Sequence, residues 1–295
     1  MDIDRLKRII REKVIPLDAP VSLEERRAEM EQVSFRVADD ITVESLVAGE
    51  RPAEWLRAPE INPNRAVMYL HGGGYVMGSL NTHRSLGGEI SRAANAAVLM
   101  VDYRLGPEAP FPAAVDDACA AYEWLLKQGF DAENLAISGD SAGGGLTAAC
   151  LVALRDKPVA LPRAAVCISP WSDLTCSNSS YQTRAAADPM VTFNGLHEMV
   201  QQYVHGQDVE HPHISPNFAD LKSLPSLLIH VGNDEVLLDD SIKLHDKAQA
   251  DGVDSTLEIW DDMIHVWHAF HPLLAEGKQG IVRIGEFLQT HWDQK

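Results

Sequence analysis

The chain has 295 residues, enough for one large α/β domain or two smaller ones around a substantial core. Its 25 Lys and Arg stand against 43 Asp and Glu, a formal net charge of −18, which argues against nucleic acid or an anionic membrane surface as partner. No segment reaches the roughly 18 apolar residues of a membrane span, and the opening MDIDRLKRIIREKVIPL is charged throughout, so no signal peptide is expected.

Residues 4–14 place Leu6, Ile9, Ile10 and Val14 on one helical face, with Pro16 ending the helix. Ser22-Leu23-Glu24-Glu25 fits a capping box that opens a second helix, and Met30 and Val33 continue its stripe. From Ile41 the period changes to that of strands, over 41–48, 52–58 and 65–72. An alternation follows: helix 83–96, strand 97–103, helix 113–129, strand 134–139, a helix after Ser141 and strand 163–170. Strand 225–232, helix 239–252, strand 255–260 and a last helix from about 272 to 292 complete the chain. Strands alternating with helices predict an α/β fold, a mostly parallel eight-stranded sheet covered on both faces.

Between Trp171 and Ser215 the alternation breaks into a polar stretch with helical pattern around 194–205. Insertions of this kind usually lie across the C-terminal ends of the strands, where ligands bind. The expected division is a helical cap of residues 1–40 and 176–214 on a core of 41–175 and 215–295. Cys119, Cys150, Cys167 and Cys176 show no C-x-x-C spacing, and three lie in apolar runs. They read as buried free thiols of a cytoplasmic protein, without a disulfide.

Gly139-Asp140-Ser141-Ala142-Gly143 matches G-x-S-x-G, with a strand running in and a helix running out, as a nucleophile elbow requires. A phosphate loop would need a lysine, and no Lys or Arg occurs between Gly139 and Arg155. After the strand ending at Leu70, His71-Gly72-Gly73-Gly74 can turn backbone N–H groups toward one point. The N–H groups of Gly73, Gly74 and Ala142 would then form an oxyanion hole. A serine hydroxyl needs an imidazole to take its proton, and His265 is the first histidine after the strand at 255–260. His268 and His271 lack ligand-spaced partners and read as surface histidines rather than a metal site; His211 and His213 read as a solvated turn. The carboxylate that orients the imidazole is either Asp234 or Glu235, since Asp239 and Asp240 read as helix N-terminal acids.

These motifs resemble the hormone-sensitive-lipase-like group of α/β-hydrolases, the family IV bacterial esterases. The likeness runs over nearly the whole chain from about residue 60, through HGGG at 71–74, DYRLGPEAPFPAAVDD at 102–117 and GDSAGG at 139–144. It continues in SPWSDLT at 169–175, Asp188-Pro189-Met190 and His265-Val266-Trp267. The stretch 169–267 is similar to the branch that includes monoterpene ε-lactone hydrolase and small carboxylesterases. The resemblance implies the α/β-hydrolase fold and a serine carboxylesterase acting on short-chain acyl esters, with lactone hydrolase or deacetylase as the alternative using the same triad. It implies no cofactor and no metal. Many members carry D-P-L-R-D-E at the acid; aligning Leu237 and Asp239 with that pattern puts Glu235, not Asp234, in the catalytic column. Tyr75, Met190 and Phe193 become candidate pocket walls, and Asp102, Tyr103, Arg104, Pro107 and Glu108 loop-fixing residues. Some relatives form homodimers. The plant gibberellin receptor, a non-catalytic relative, would be expected to lose the histidine that this chain keeps as His265.

Overall fold

Residues 1–294 are described by a computed structural model. Two N-terminal helices, α1 (Ile3–Lys13) and α2 (Leu23–Val33), precede β1 (Thr42–Ala48), β2 (Arg51–Arg57) and β3 (Asn62–Leu70). Then come α3 (Leu80–Ala94), β4 (Ala96–Val101), α4 (Ala113–Lys127), β5 (Leu135–Asp140), α5 (Ala142–Arg155) and β6 (Ala164–Ile168). The stretch after β6 carries the short α6 (Ser180–Thr183) and α7 (Phe193–Val204). β7 (Ser226–Gly232), α8 (Leu238–Ala250), β8 (Ser255–Trp260) and α9 (Ala275–Asp293) complete the chain.

The strands form one sheet in the order β1-β2-β4-β3-β5-β6-β7-β8. β2 is antiparallel to both neighbours, and the strands from β4 to β8 along the sheet are parallel. Residues of β4 and β6 are buried on both faces, which is why they read as unbroken apolar runs. Alternation along β3 divides the core: Met68 and Leu70 face α4, α5 and α8, whereas Val67 and Tyr69 face α3 and α9. All eight expected strands are present, β3 running from Asn62 to Leu70 rather than over 65–72.

Three helical details differ from expectation. α3 begins at Leu80 rather than 83, because Ser79 and Thr82 form a capping box there. Ile9 is 36 % exposed, since the buried face of α1 runs through Leu6, Lys7 and Ile10 instead. Val33 is 52 % exposed and borders the cavity described below. All four cysteines are buried and free. Among the described residues no helix is long and apolar enough to cross a membrane.

Candidate active site

Ser141 stands where β5 passes into α5, with φ +54° and ψ −121°, a backbone state costly for a residue with a side chain. Its surroundings impose that state. The Ser141 N–H donates to Ile168 O at 2.8 Å, and its carbonyl accepts from Trp171 N–H at 2.9 Å and Gly145 N–H at 3.0 Å. The hydroxyl makes no capping bond to α5; it lies 2.9 Å from His265 Nε2.

His265 occupies the loop after β8, and its Nδ1 lies 2.9 Å from Glu235 Oε2. Glu235 is fully buried beyond the end of β7. Its Oε1 accepts from Gly232 N–H at 2.6 Å and from the Ser169 hydroxyl at 2.7 Å. A carboxylate can only accept, so the network assigns the imidazole proton to Nδ1 and leaves the Nε2 lone pair facing Ser141. The Ser169 oxygen accepts in turn from Val266 N–H at 3.2 Å, so one side chain joins the Glu235 loop to the His265 loop. Burial of His265 disfavours its charged form. The Glu235 hydrogen bond and the charges of Glu235, Asp188 and Asp140 outweigh that effect, and the pKa rises above the usual 6.5.

Asp234 turns the other way. Its Oδ2 meets Lys7 Nζ from α1 at 2.6 Å, and both side chains are largely buried. Of the two adjacent carboxylates the structure therefore brings Glu235, and not Asp234, to the histidine.

Asp188 had stood out in the sequence only as part of a tripeptide. Its Oδ1 accepts from Met190 N–H and Val191 N–H, and its Oδ2 from Val236 N–H at 3.1 Å. It thus ties the stretch before α7 to the residue after Glu235. Burial raises its pKa. Nothing in single-sequence periodicity reports such a tie across 48 residues.

The His71–Gly74 turn follows β3, with Gly73 at φ +117° and Gly74 at φ +63°. A Cβ on Gly73 would lie 2.3 Å from the backbone oxygen of Met77, so only glycine fits there. Among the described residues the N–H groups of Gly73, Gly74 and Ala142 have no acceptor within the protein. Ala142 is the first residue of α5, at the positive end of its dipole. The turn is fixed from behind. The Tyr103 hydroxyl donates to His71 O at 2.7 Å, and its ring stacks on His71 at 4.4 Å. Arg104 pairs with Asp117 and Glu108 with Arg27 of α2, so the 102–108 segment does fix loops.

A cavity of about 280 Å³ opens over Ser141 and His265. Val14, Met30 and Phe35 line it from the N-terminal segment, and Met190, Leu196 and Met199 from the stretch around α7. Tyr75 and Phe193, expected as walls, do not line it. Tyr75 is buried beneath the turn and stacked on Tyr203 at 3.9 Å, while Phe193 is 45 % exposed at the outer end of α7. His268 and His271 are also not surface residues. His268 is fully buried with its Nε2 3.0 Å from His230 Nδ1, and His271 Nε2 lies 3.1 Å from Ser85 Oγ. The apolar residues around them hid this, because histidine carries no burial signal of its own. Among the described residues no group of three or more His, Cys, Asp or Glu could hold a metal ion.

Residues 67–269 match the family model described as alpha/beta hydrolase fold. The chain is 48 % identical over 245 residues to an acetyl-hydrolase of Streptomyces hygroscopicus, covering 83 % of this chain and 82 % of that one. The crystal structure of EstE5 soaked with ethyl alcohol superposes with a TM-score of 0.97 at 62 % identity, over 98 % of both chains. That of an esterase from the bacterial hormone-sensitive lipase family does so with a TM-score of 0.95 at 47 % identity, again over 98 % of each. With this cover and identity, the chain belongs to the α/β-hydrolase-fold family and, within it, to the hormone-sensitive-lipase-like carboxylic ester hydrolases.

Proposed function

We propose that this ester hydrolase is a serine carboxylesterase that cleaves short-chain acyl esters through an acyl-enzyme. Ser141 attacks the ester carbonyl while His265 Nε2 takes its proton, and Glu235 holds the imidazole and stabilises its charged form. The N–H groups of Gly73, Gly74 and Ala142 receive the negative oxygen of the tetrahedral intermediate. Collapse of that intermediate expels the alcohol, which takes the proton from His265. Water then attacks the acyl carbon with the same imidazole as base, releasing the acid and free Ser141. The cycle uses no cofactor.

The observation that carries this reading is the unbroken chain Glu235–His265–Ser141, with both links at 2.9 Å and the serine in a strained backbone state. The apolar cavity supports a neutral substrate, and the acetyl-hydrolase relative supports a short acyl group. Residues 1–40 and 176–214 act as the cap that closes over it. Lactones are the second substrate class for the same machinery.

The test is a hydrolysis profile over p-nitrophenyl esters of increasing acyl length, with lactones alongside and Ser141→Ala as control. Turnover is expected to be greatest for acetate to butyrate. Wild-type turnover no greater than that of Ser141→Ala would remove the proposal.

A further inference from the structure

The oxyanion turn is anchored at Gly72, whose N–H points between two side chains: Asp140 Oδ1 at 3.1 Å and His83 Nε2 at 3.3 Å. His83 lies on α3, is buried to 6 % exposure and borders the cavity. Its other nitrogen, Nδ1, is 2.7 Å from Thr82 Oγ1. That oxygen already accepts from Ser79 N–H and donates its proton to Ser79 O, both at 2.9 Å, because it serves the capping box of α3.

We infer that His83 is a positioning residue of the esterase reaction, holding the Gly72 amide through an Nε2 lone pair so that Gly73 and Gly74 aim at the oxyanion. The inference rests on the Ser141–His265–Glu235 reading above.

The proton assignment follows from the donors. The Gly72 N–H can only donate, and Nε2 shares it as an acceptor with the nearer Asp140 Oδ1, which places no proton on Nε2. The Nδ1–H then needs an acceptor, and Thr82 Oγ1 has one free lone pair left after its two bonds to Ser79. The capping box thus sets the tautomer of the next residue. The opposite tautomer would aim Nε2–H at Asp140 Oδ2, 3.3 Å away. It would also set two donors against each other at Gly72 and leave Nδ1 dependent on a hydroxyl proton that Ser79 O already takes. Tyr69 OH holds Asp140 Oδ1 from the other side at 2.7 Å, so the carboxylate cannot follow the turn if His83 lets go. The peptide after Gly72 is the one that presents the Gly73 N–H. A misaimed donor there weakens the transition state and leaves the ground-state ester almost untouched.

The experiment compares wild type, His83→Leu and His83→Gln on p-nitrophenyl acetate, together with inhibition by an alkylboronic acid that mimics the tetrahedral intermediate. His83→Leu is expected to lower kcat about thirtyfold to a hundredfold with KM within about twofold, and to weaken the boronic acid in parallel. His83→Gln, whose side-chain carbonyl can take the Gly72 amide, is expected to recover to within about fivefold of wild type. Should His83→Leu fail to fold, 15N NMR of the wild-type imidazole is expected to show the proton on Nδ1. An Nε2–H tautomer, or His83→Leu kinetics within twofold of wild type, would overturn the inference while leaving the esterase reading intact. If wild type itself does not exceed Ser141→Ala, both readings fall together.

Discussion

Lys7 on the first helix and Asp234, the immediate neighbour of Glu235, meet at 2.6 Å across 227 residues of chain. Adjacent carboxylates at 234 and 235 thus have opposite partners, one an ammonium from the N-terminal segment and the other an imidazole. Asp234→Asn is therefore expected to leave kcat on p-nitrophenyl acetate within about threefold of wild type. The same change loosens α1 and lowers stability by about 1–3 kcal/mol, between the values for exposed and buried ion pairs. Lys7→Met should match the stability loss. Steady-state kinetics with urea denaturation checks both, and a thousandfold loss of kcat in Asp234→Asn would reassign the acid.

On the proposed mechanism His265 must be neutral to accept the Ser141 proton, and this sets the pH profile. The raised pKa of His265 means that activity falls as pH drops through a value above 6.5, so the acid limb of kcat/KM should have its midpoint there. Glu235 supplies the largest of the effects that raise it. In Glu235→Gln the limb is expected to move below that of wild type, and kcat to fall by about 10²- to 10⁴-fold. A pH series in constant ionic strength reads both effects.

Acid stability has a separate source. Burial pushes His71 down to about 4, helped by the nearby His83, and burial does the same to His271 beside Lys278. A lowered base binds its proton more readily in the unfolded chain than in the folded one. Stability is therefore full above about pH 6.5, falls as pH drops from there toward 4, and loses no more from these groups below that. Denaturation midpoints measured between pH 7.5 and 4 should show a decline that begins before the carboxylates titrate. His271→Gln should make that slope shallower.

The sheet and the strand–turn–helix setting of Ser141 are legible in the sequence because their signals are local. Unbroken apolar runs between polar residues mark buried strands such as β4 and β6, and G-x-S-x-G and HGGG each sit within a single turn. The position of His265 beside Ser141 follows from its place on the loop after β8. The choice between Asp234 and Glu235 was not local: it depends on where Lys7 arrives from the far end of the chain, and only the family alignment favoured Glu235. Lys7 itself interrupts the apolar stripe of α1, so the sequence pattern puts Ile9 on the buried face where the structure puts Lys7. Tyr75 and Phe193 lie off the cavity for a related reason, since proximity in sequence to the turn and to α7 says nothing about which side of each faces it. His83 gives no sequence signal of its own, because it follows a Ser-x-x-Thr capping box rather than a glutamate one.

Ser169 gives the Glu235→Gln experiment an unusual clarity. Its hydroxyl spans from Glu235 Oε1 to the Val266 amide, and a glutamine can keep its oxygen in the same place. The two loops would then stay where they are, while the new NH₂ group faces His265 Nδ1 and drives the imidazole proton to Nε2. Architecture, cavity and nucleophile would be unchanged, and the protein would be switched off by the relocation of one hydrogen.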